Sequence, residues 1–496
     1  MIAYMMAAVL AQSTPAPVPS PSPTPLYVGN PAASMRLEQR ALGFDPDGNA
    51  RWLVIVGFTD SNGNPTRIMK NSDLDYTQSR GDLQWQTRMR YGSPSAIVKT
   101  TDEGPIGMTV KANAPQLPPA MATTDTRTWP GPRTVAKALG PYMVQIGWFP
   151  RETRSTVRIV RVDLETNGSS TFLVAAPSST YRDTSVQPDH RYRYTIRRGG
   201  KSITLAELRT LPEPPATTVS AAAGKASWLF FSTNPYDDNY YAKINPSAII
   251  DQAVRAGLHY VELRTAYGEY WQITPEARPT MDEIIDGLAQ HGIGVVGWTV
   301  PREPTFDDLA ASVNTVYYRT AHGTGFTALA IDAERGEEYM GDCPRGCLGL
   351  VQYMKLLRVA VGPHYTVVAT VEDPYLEHLT EKDYPYREIA QYSDVLQPMS
   401  YWRMMSRHST NVAEVKELLR GSYTKLLSEA QRNLPVSIGG QTSAEGPFGH
   451  PPADEIYAVW KRAKNWVRSV KHFLIGTELN RTSGRQFRAI AGRALR

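Results

Sequence analysis

From Ser227 onward, short apolar runs alternate with stretches of helical periodicity, and the alternation repeats eight times. The strand-like runs are SWLFFS (227–232), HYVELRT (259–265), IGVVGWTV (293–300) and FTALAIDAE (326–334). YTVVATVE (365–372), DVLQPMSYW (394–402), PVSIGGQ (435–441) and HFLIGTE (472–478) follow. Between them the pattern predicts helices at 245–257, 280–292, 305–321, 348–361, 386–393, 410–432 and 453–468, and a last one over 484–494. Gly257 and Gly292 sit where a helix should stop. Eight strand–helix pairs over 225–496 match an α/β TIM (β/α)8 barrel; an open doubly wound sheet fits less well, because no Gly-rich phosphate turn occurs.

The first 211 residues follow a different rule. Residues 12–25 alternate Pro with Ser, Thr and Ala, a composition that buries no core and predicts an extended spacer. Over 26–115 the runs are strand-sized and separated by turn residues, as in RWLVIVGFTDSNGNPTRI and SAIVKTTDEGPIGMTVKAN. A β-sandwich is expected there. The segment 115–130, PQLPPAMATTDTRTWP, reads as a linker, and 130–212 as a second sandwich. YMVQIGWFP alternates about Trp148, and HRYRYTIRR alternates about Tyr192 and Tyr194. A third linker, LPEPPATTVSAAAG, covers 211–224.

Chemistry in a barrel gathers at the C-terminal ends of the strands. Successive strand residues point to opposite faces, so parity selects the inward side chains. In 326–334 the parity that sends Leu329 and Ile331 toward the helices sends Ala328, Ala330, Asp332 and Glu334 inward. The same count sends Tyr260, Glu262 and Arg264 inward from the second strand and ends the third at Trp298. It brings Thr370 and Glu372, then Gln397, Met399 and Tyr401, then Ser437 and Gln441, and last Glu478 to the same rim. Unpaired buried acids are costly, and one has a structural explanation, such as an ion pair with Arg264. Five on one rim point to a site. Trp271, Trp298, Tyr339, Tyr401 and Trp402 lie on or just past these ends. Flat rings beside hydrogen-bonding acids suit a sugar, although core packing accounts equally for a ring such as Trp298.

Charge and cysteine content narrow the classes. The net charge of +5 is small for 496 residues, and no basic block with interleaved aromatics is read, which disfavours nucleic acid. No apolar run approaches the ~20 residues of a membrane span. The start, MIAYMMAAVLAQS, reads as a secretory signal cleaved near Ala11, though it lacks a basic n-region and reads also as a tail. The two cysteines, Cys343 and Cys347 in CPRGC, are expected to form a small disulfide, which a secreted, cell-surface or periplasmic protein tolerates. Two cysteines without a nearby His make no zinc site, so neither metal nor cofactor is implied.

GFTDSNGNP is similar to the strand-turn of bacterial immunoglobulin-like modules, and the Trp148 strand with the later Tyr-x-Tyr strand resembles a fibronectin type III domain, where these residues fill the core. The last region resembles the glycoside hydrolase family 18 barrel, which ends strand four in Asp-x-x-Asp-x-Asp-x-Glu and strand six in Met-x-Tyr-Asp. Here Asp332 and Glu334 match the end of the first motif. Met399 and Tyr401 match the second, with Trp402 where the family has Asp. The resemblance implies Glu334 as general acid, Asp332 orienting a substrate acetamido group whose oxygen attacks the anomeric carbon, and Tyr401 bonding that group. Glu262, Arg264, Trp271, Trp298, Glu372, Gln397, Met399, Trp402, Gln441 and Glu478 are the expected substrate contacts. A second enzyme reading pairs Glu334 with Glu372, Glu445 or Glu478 as nucleophile. A third makes the protein a non-catalytic polysaccharide-binding or cell-surface scaffold. The expectation is an exported glycoside hydrolase-like protein acting on a polysaccharide or cell-wall glycan, N-acetyl sugars included, with no oligomeric state implied.

Overall fold

The computed structural model describes residues 27–28, 30–68, 74–79, 84–90, 93–112, 117–233, 239–336, 339–375, 384–406, 410–441, 449–463 and 469–473. The chain divides into two compact units, one ending at Pro212 and the other starting at Glu213.

The first unit holds two sandwiches. In one, strands at 27–28, 65–68, 50–59, 93–100 and 84–90 form a sheet in that order, with 34–44 also pairing with 50–59. A second sheet joins 74–78, 105–112 and 120–125. Trp52, Val54, Val98, Ile106 and Met108 form one core cluster, and Val56, Phe58, Leu74 and Val110 another. The expected linker at 115–130 is therefore corrected. Residues Ala120–Asp125 are a strand paired with 105–112, and Trp129 packs edge-on against Trp52 at 5.5 Å. Its one large apolar residue, Met121, is exposed, so the segment shows no run of alternating buried apolar side chains.

The other sandwich faces a three-stranded sheet (134–140, 143–152, 178–183) against a sheet of 169–174, 157–163, 191–198 and 201–204, with 208–209 on 191–198. Trp148, Tyr192 and Tyr194 are fully buried among Ile146, Ile159 and Ile196, so their place is the core. Each polar tip is satisfied, as burial requires. The Trp148 indole donates to the Ser178 carbonyl at 3.0 Å, and the Tyr194 hydroxyl donates to Asp183 at 2.9 Å.

The second unit is a curled parallel sheet. Its strands are β1 (Gly224–Leu229), β2 (Tyr260–Tyr267), β3 (Gly294–Val300), β4 (Leu329–Ala333), β5 (Val367–Val371), β6 (Val395–Ser400), β7 (Ser437–Gly440) and β8 (Ser469–Phe473). Each pairs in parallel with the next, and β1 pairs with both β2 and β8. The helices are α1 (Pro246–Ala256), α2 (Arg278–Gln290), α3 (Phe306–Tyr317), α4 (Arg345–Val361), α5 (Tyr386–Tyr392), α6 (Trp402–Ser406), α7 (Val412–Ala430) and α8 (Ala453–Ala463). Local chemistry sets their ends. Asn245 accepts from the Ala248 amide ahead of Pro246, and Gly257 takes φ +62° to close α1.

The inner face is apolar at its base, where Ala226, Trp228, Tyr260, Val296, Trp298, Ala328, Ala330, Val368 and Val395 cluster. Space there is tight. A Cβ on Gly439 would meet the Trp228 ring at 2.8 Å. Among the described residues no helix is long and apolar enough to cross a membrane.

Four expectations shift. The eighth strand is described over 469–473, where it pairs with β1 and β7; of the expected 472–478, residues 474–478 lie outside the described residues. Trp271 belongs to a two-residue strand antiparallel to β2, and Trp402 opens α6 instead of ending β6. The linker expected at 211–224 is occupied from Thr217 onward. The Thr217 amide donates to the His364 carbonyl at 2.9 Å, the Thr217 hydroxyl accepts from Thr366, and Ala222 is buried.

Candidate active site

All five residues of β4 are buried, and the strand delivers two acids at its C-terminal end. Asp332 is 5 % exposed and Glu334 9 %. They stand two positions apart along the strand, on the same face, and Glu334 acts on the Asp332 carboxyl. Burial, and then the adjacent Glu334, push Asp332 well above the usual carboxylate range. Burial also raises Glu334, while a hydrogen bond from the Tyr339 hydroxyl to its Oε1, at 2.7 Å, opposes the rise. Asp332 Oδ1 and Trp298 Nε1 are buried and have no hydrogen-bond partner among the described residues. A free acceptor and a free donor in one cluster are the unmet needs that a polar ligand fills.

Neighbouring strands complete the group. Arg264, within β2, lies over the rings of Trp298 and Phe230, 5.7 and 4.9 Å from their centroids. Its Nε donates to Gln272 at 2.9 Å, and its positive charge acts on Asp332. Glu262 is fully buried and accepts from Gln397 at 3.3 Å; the same Gln397 amide donates to Thr370 at 3.1 Å. This network spans β2, β5 and β6. Met399 is buried on β6, and Tyr401 is half-buried just beyond it, its amide bonded to the Met399 carbonyl.

One acid of the rim has a structural explanation in an ion pair with Arg335. Glu372, 1 % exposed at the end of β5, is held by Arg335 at 2.7 Å. Burial raises the Glu372 carboxyl and Arg335 opposes that rise. Its neighbour Asp373 is raised to about 6 by burial, with a hydrogen bond from Ser400 acting against it.

Other expected contacts are placed away from this cluster. Trp402 is completely buried, and its indole donates to Glu455 at 2.9 Å. Gln441 is also buried, accepting from the Arg403 amide at 3.0 Å, while Arg403 pairs with Glu455. Both side chains thus tie α6 to its surroundings. Trp271 pairs across from Ala266, and its ring packs on Tyr318, just past the end of α3. Glu478 and Glu445 lie outside the described residues, as do the apolar start and the last expected helix. Cys343 and Cys347 are joined by a disulfide, their Cα atoms 4.9 Å apart; the bridge enters the first turn of α4 instead of lying wholly in a loop.

Sequence reading passed over Arg335, Tyr384 and Phe230. Arg335 had one available signal, a cation directly after the strand's last acid. Tyr384, whose hydroxyl donates to the Ala333 carbonyl, had none, because it arrives from a distant loop.

No protein-family model matches this sequence, and no curated protein matches it. Solved structures that match include a family 39 glycoside hydrolase from Bacteroides cellulosilyticus WH2, at 12 % identity, covering 68 % of this chain and 77 % of that one, with a TM-score of 0.33. A chitinase from Chromobacterium violaceum matches at 13 % identity over 55 % of this chain and 98 % of its own, TM-score 0.37. The FN5 domain of Drosophila Lar matches at 21 % identity over 16 % of this chain and 90 % of its own, TM-score 0.14. At these scores the functional reading rests on the side chains at the site.

Proposed function

We propose that the second unit is a (β/α)8 barrel glycosidase acting on a polysaccharide, with Glu334 as its general acid. One observation carries this reading. Two buried carboxyl groups stand on the same face at the end of β4, both raised by burial, and one of them has an oxygen with no hydrogen-bond partner among the described residues. Burial that raises a carboxyl keeps it protonated at a pH where an exposed glutamate is ionised, and a general acid needs that proton.

The chemistry follows the substrate-assisted route. Glu334 gives its proton to the glycosidic oxygen as the bond to the anomeric carbon breaks. The carbonyl oxygen of a substrate acetamido group closes onto that carbon, so no enzyme nucleophile is required. Asp332 Oδ1 accepts the acetamido N–H, and the Tyr401 hydroxyl bonds the carbonyl. Glu334, now a carboxylate, takes a proton from the water that opens the ring intermediate. Trp298 supplies an apolar face with an N–H at its edge, suited to a sugar ring. Glu372 is engaged by Arg335, which favours this route over one that uses it as nucleophile. The disulfide supports export, since such bonds persist in oxidising compartments.

The test is product analysis on a polysaccharide panel, N-acetyl polymers included, with wild type and Glu334→Gln. Turnover should fall at least ~100-fold in the variant, within the 10²–10⁴ contributed by general acids. Binding should persist. Full activity in Glu334→Gln would remove the mechanism. Binding by wild type without product across the panel would make the protein a glycan-binding scaffold.

A further inference from the structure

The positive charge of this chain is concentrated in one place. Residues 131–212 contain 13 Lys and Arg against 6 Asp and Glu, a net +7, whereas the whole chain carries +5. Charge asymmetry of this kind points to a partner of opposite sign.

The six acids are all committed. Asp163 pairs with His190, Glu165 with Arg191, Asp183 with Arg161, Asp189 with Arg209 and Glu207 with Arg193. Glu152 accepts from the Arg154 and Ser155 amides. Arg158 and Arg197 have no acid left. Both are exposed, on strands 157–163 and 191–198, and the register sets them directly opposite each other. Cross-strand partners sit about 5 Å apart, and like charges so placed are destabilising. An anion lying between them turns that repulsion into two attractions.

The surroundings suit an extended, hydroxyl-rich ligand. The row through the pair runs Leu173, Arg158, Arg197, Ser202, and the next row runs Thr171, Val160, Thr195, Thr204. Leu173 is 72 % exposed and offers an apolar step. The Thr195 and Thr204 hydroxyls are 3.1 Å apart. The tyrosines that interleave the arginines, Tyr192 and Tyr194, point into the core. The face therefore has no ring on which a base could stack, which disfavours single-stranded nucleic acid.

We propose that this outward sheet face binds an anionic polysaccharide, with Arg158 and Arg197 as its charge centre. The binding is separate from the Glu334 site and stands whether or not that site turns over substrate. The probes are polygalacturonate, dextran sulfate, neutral dextran and duplex DNA, titrated against the full chain at several salt concentrations. Both acidic polymers should bind and neutral dextran should not. Arg158→Ser/Arg197→Ser should weaken polygalacturonate at least tenfold and lower the salt-dependence slope by about two, one for each released counterion. Glu334→Gln and Arg209→Ser should leave affinity unchanged, and the double variant should melt no lower than wild type. Undiminished binding by the double variant overturns the proposal. So does failure of both acidic polymers to bind, or tighter binding of DNA than of either.

Discussion

Replacing Arg335 with Met isolates the electrostatics of the site. Arg335 Nε lies 2.7 Å from Glu372 Oε1, and the two side chains are only 10 % and 2 % exposed. Breaking such a pair leaves a buried charge uncompensated and costs about 3–5 kcal/mol. For a unit of this size that lowers Tm by roughly 10 °C. The sign of the pH dependence follows from Glu372, already raised by burial and held down in part by Arg335. Without Arg335 it rises further. An acid raised on folding keeps its proton in the native state where the unfolded chain has released it, so stability is lost as pH climbs. The loss starts near the unfolded glutamate value, ~4.3, and is complete above the raised native value. The penalty should therefore be small at pH 4 and full at pH 8. Calorimetry of the full chain at both values measures it, and Arg335→Met/Glu372→Gln, which removes both charges, should recover most of the loss. The exposed Arg209–Asp189 pair is the comparison, its side chains 55 % and 56 % exposed. Arg209→Met should change stability by less than ~1 kcal/mol. An Arg335→Met protein melting within about 2 °C of wild type at pH 8 would refute the reasoning. A double variant no more stable than the single one would refute it as well.

Tyr339→Phe removes the hydroxyl that donates to Glu334 Oε1 and holds its pKa down. The alkaline limb of kcat/KM, where Glu334 loses its proton, should move to higher pH, and an unmoved or lowered limb would detach Tyr339 from the acid. Gly257→Ala forces a Cβ into φ +62° and should cost about 1–2 kcal/mol in chemical denaturation; an unchanged midpoint would mean that α1 can end in another way. Mass spectrometry of protein prepared without reductant should find Cys343 and Cys347 bonded, and two free thiols would remove that support for export.

The sequence by itself carried the periodicities. Eight apolar runs with helices between them were visible because burial dictates which residues repeat at 2 and at 3.6. Parity placed Ala328, Ala330, Tyr260 and Trp298 on the inner face, and they cluster there. It also put Asp332, Glu334, Glu262 and Gln397 at one end of the sheet. What the sequence could not carry was competition between partners distant along the chain. Trp402 and Gln441 have the right parity, but Glu455 and Arg403 claim them from the helix side. Glu372 looked like a free acid until Arg335 folded onto it. The strand at 120–125 has no apolar signature, because its stability comes from a ladder to 105–112. Local pattern records what each residue does for its own element. Which acid is paired, which ring is spent on packing and which oxygen is left free are decided only when separate elements meet.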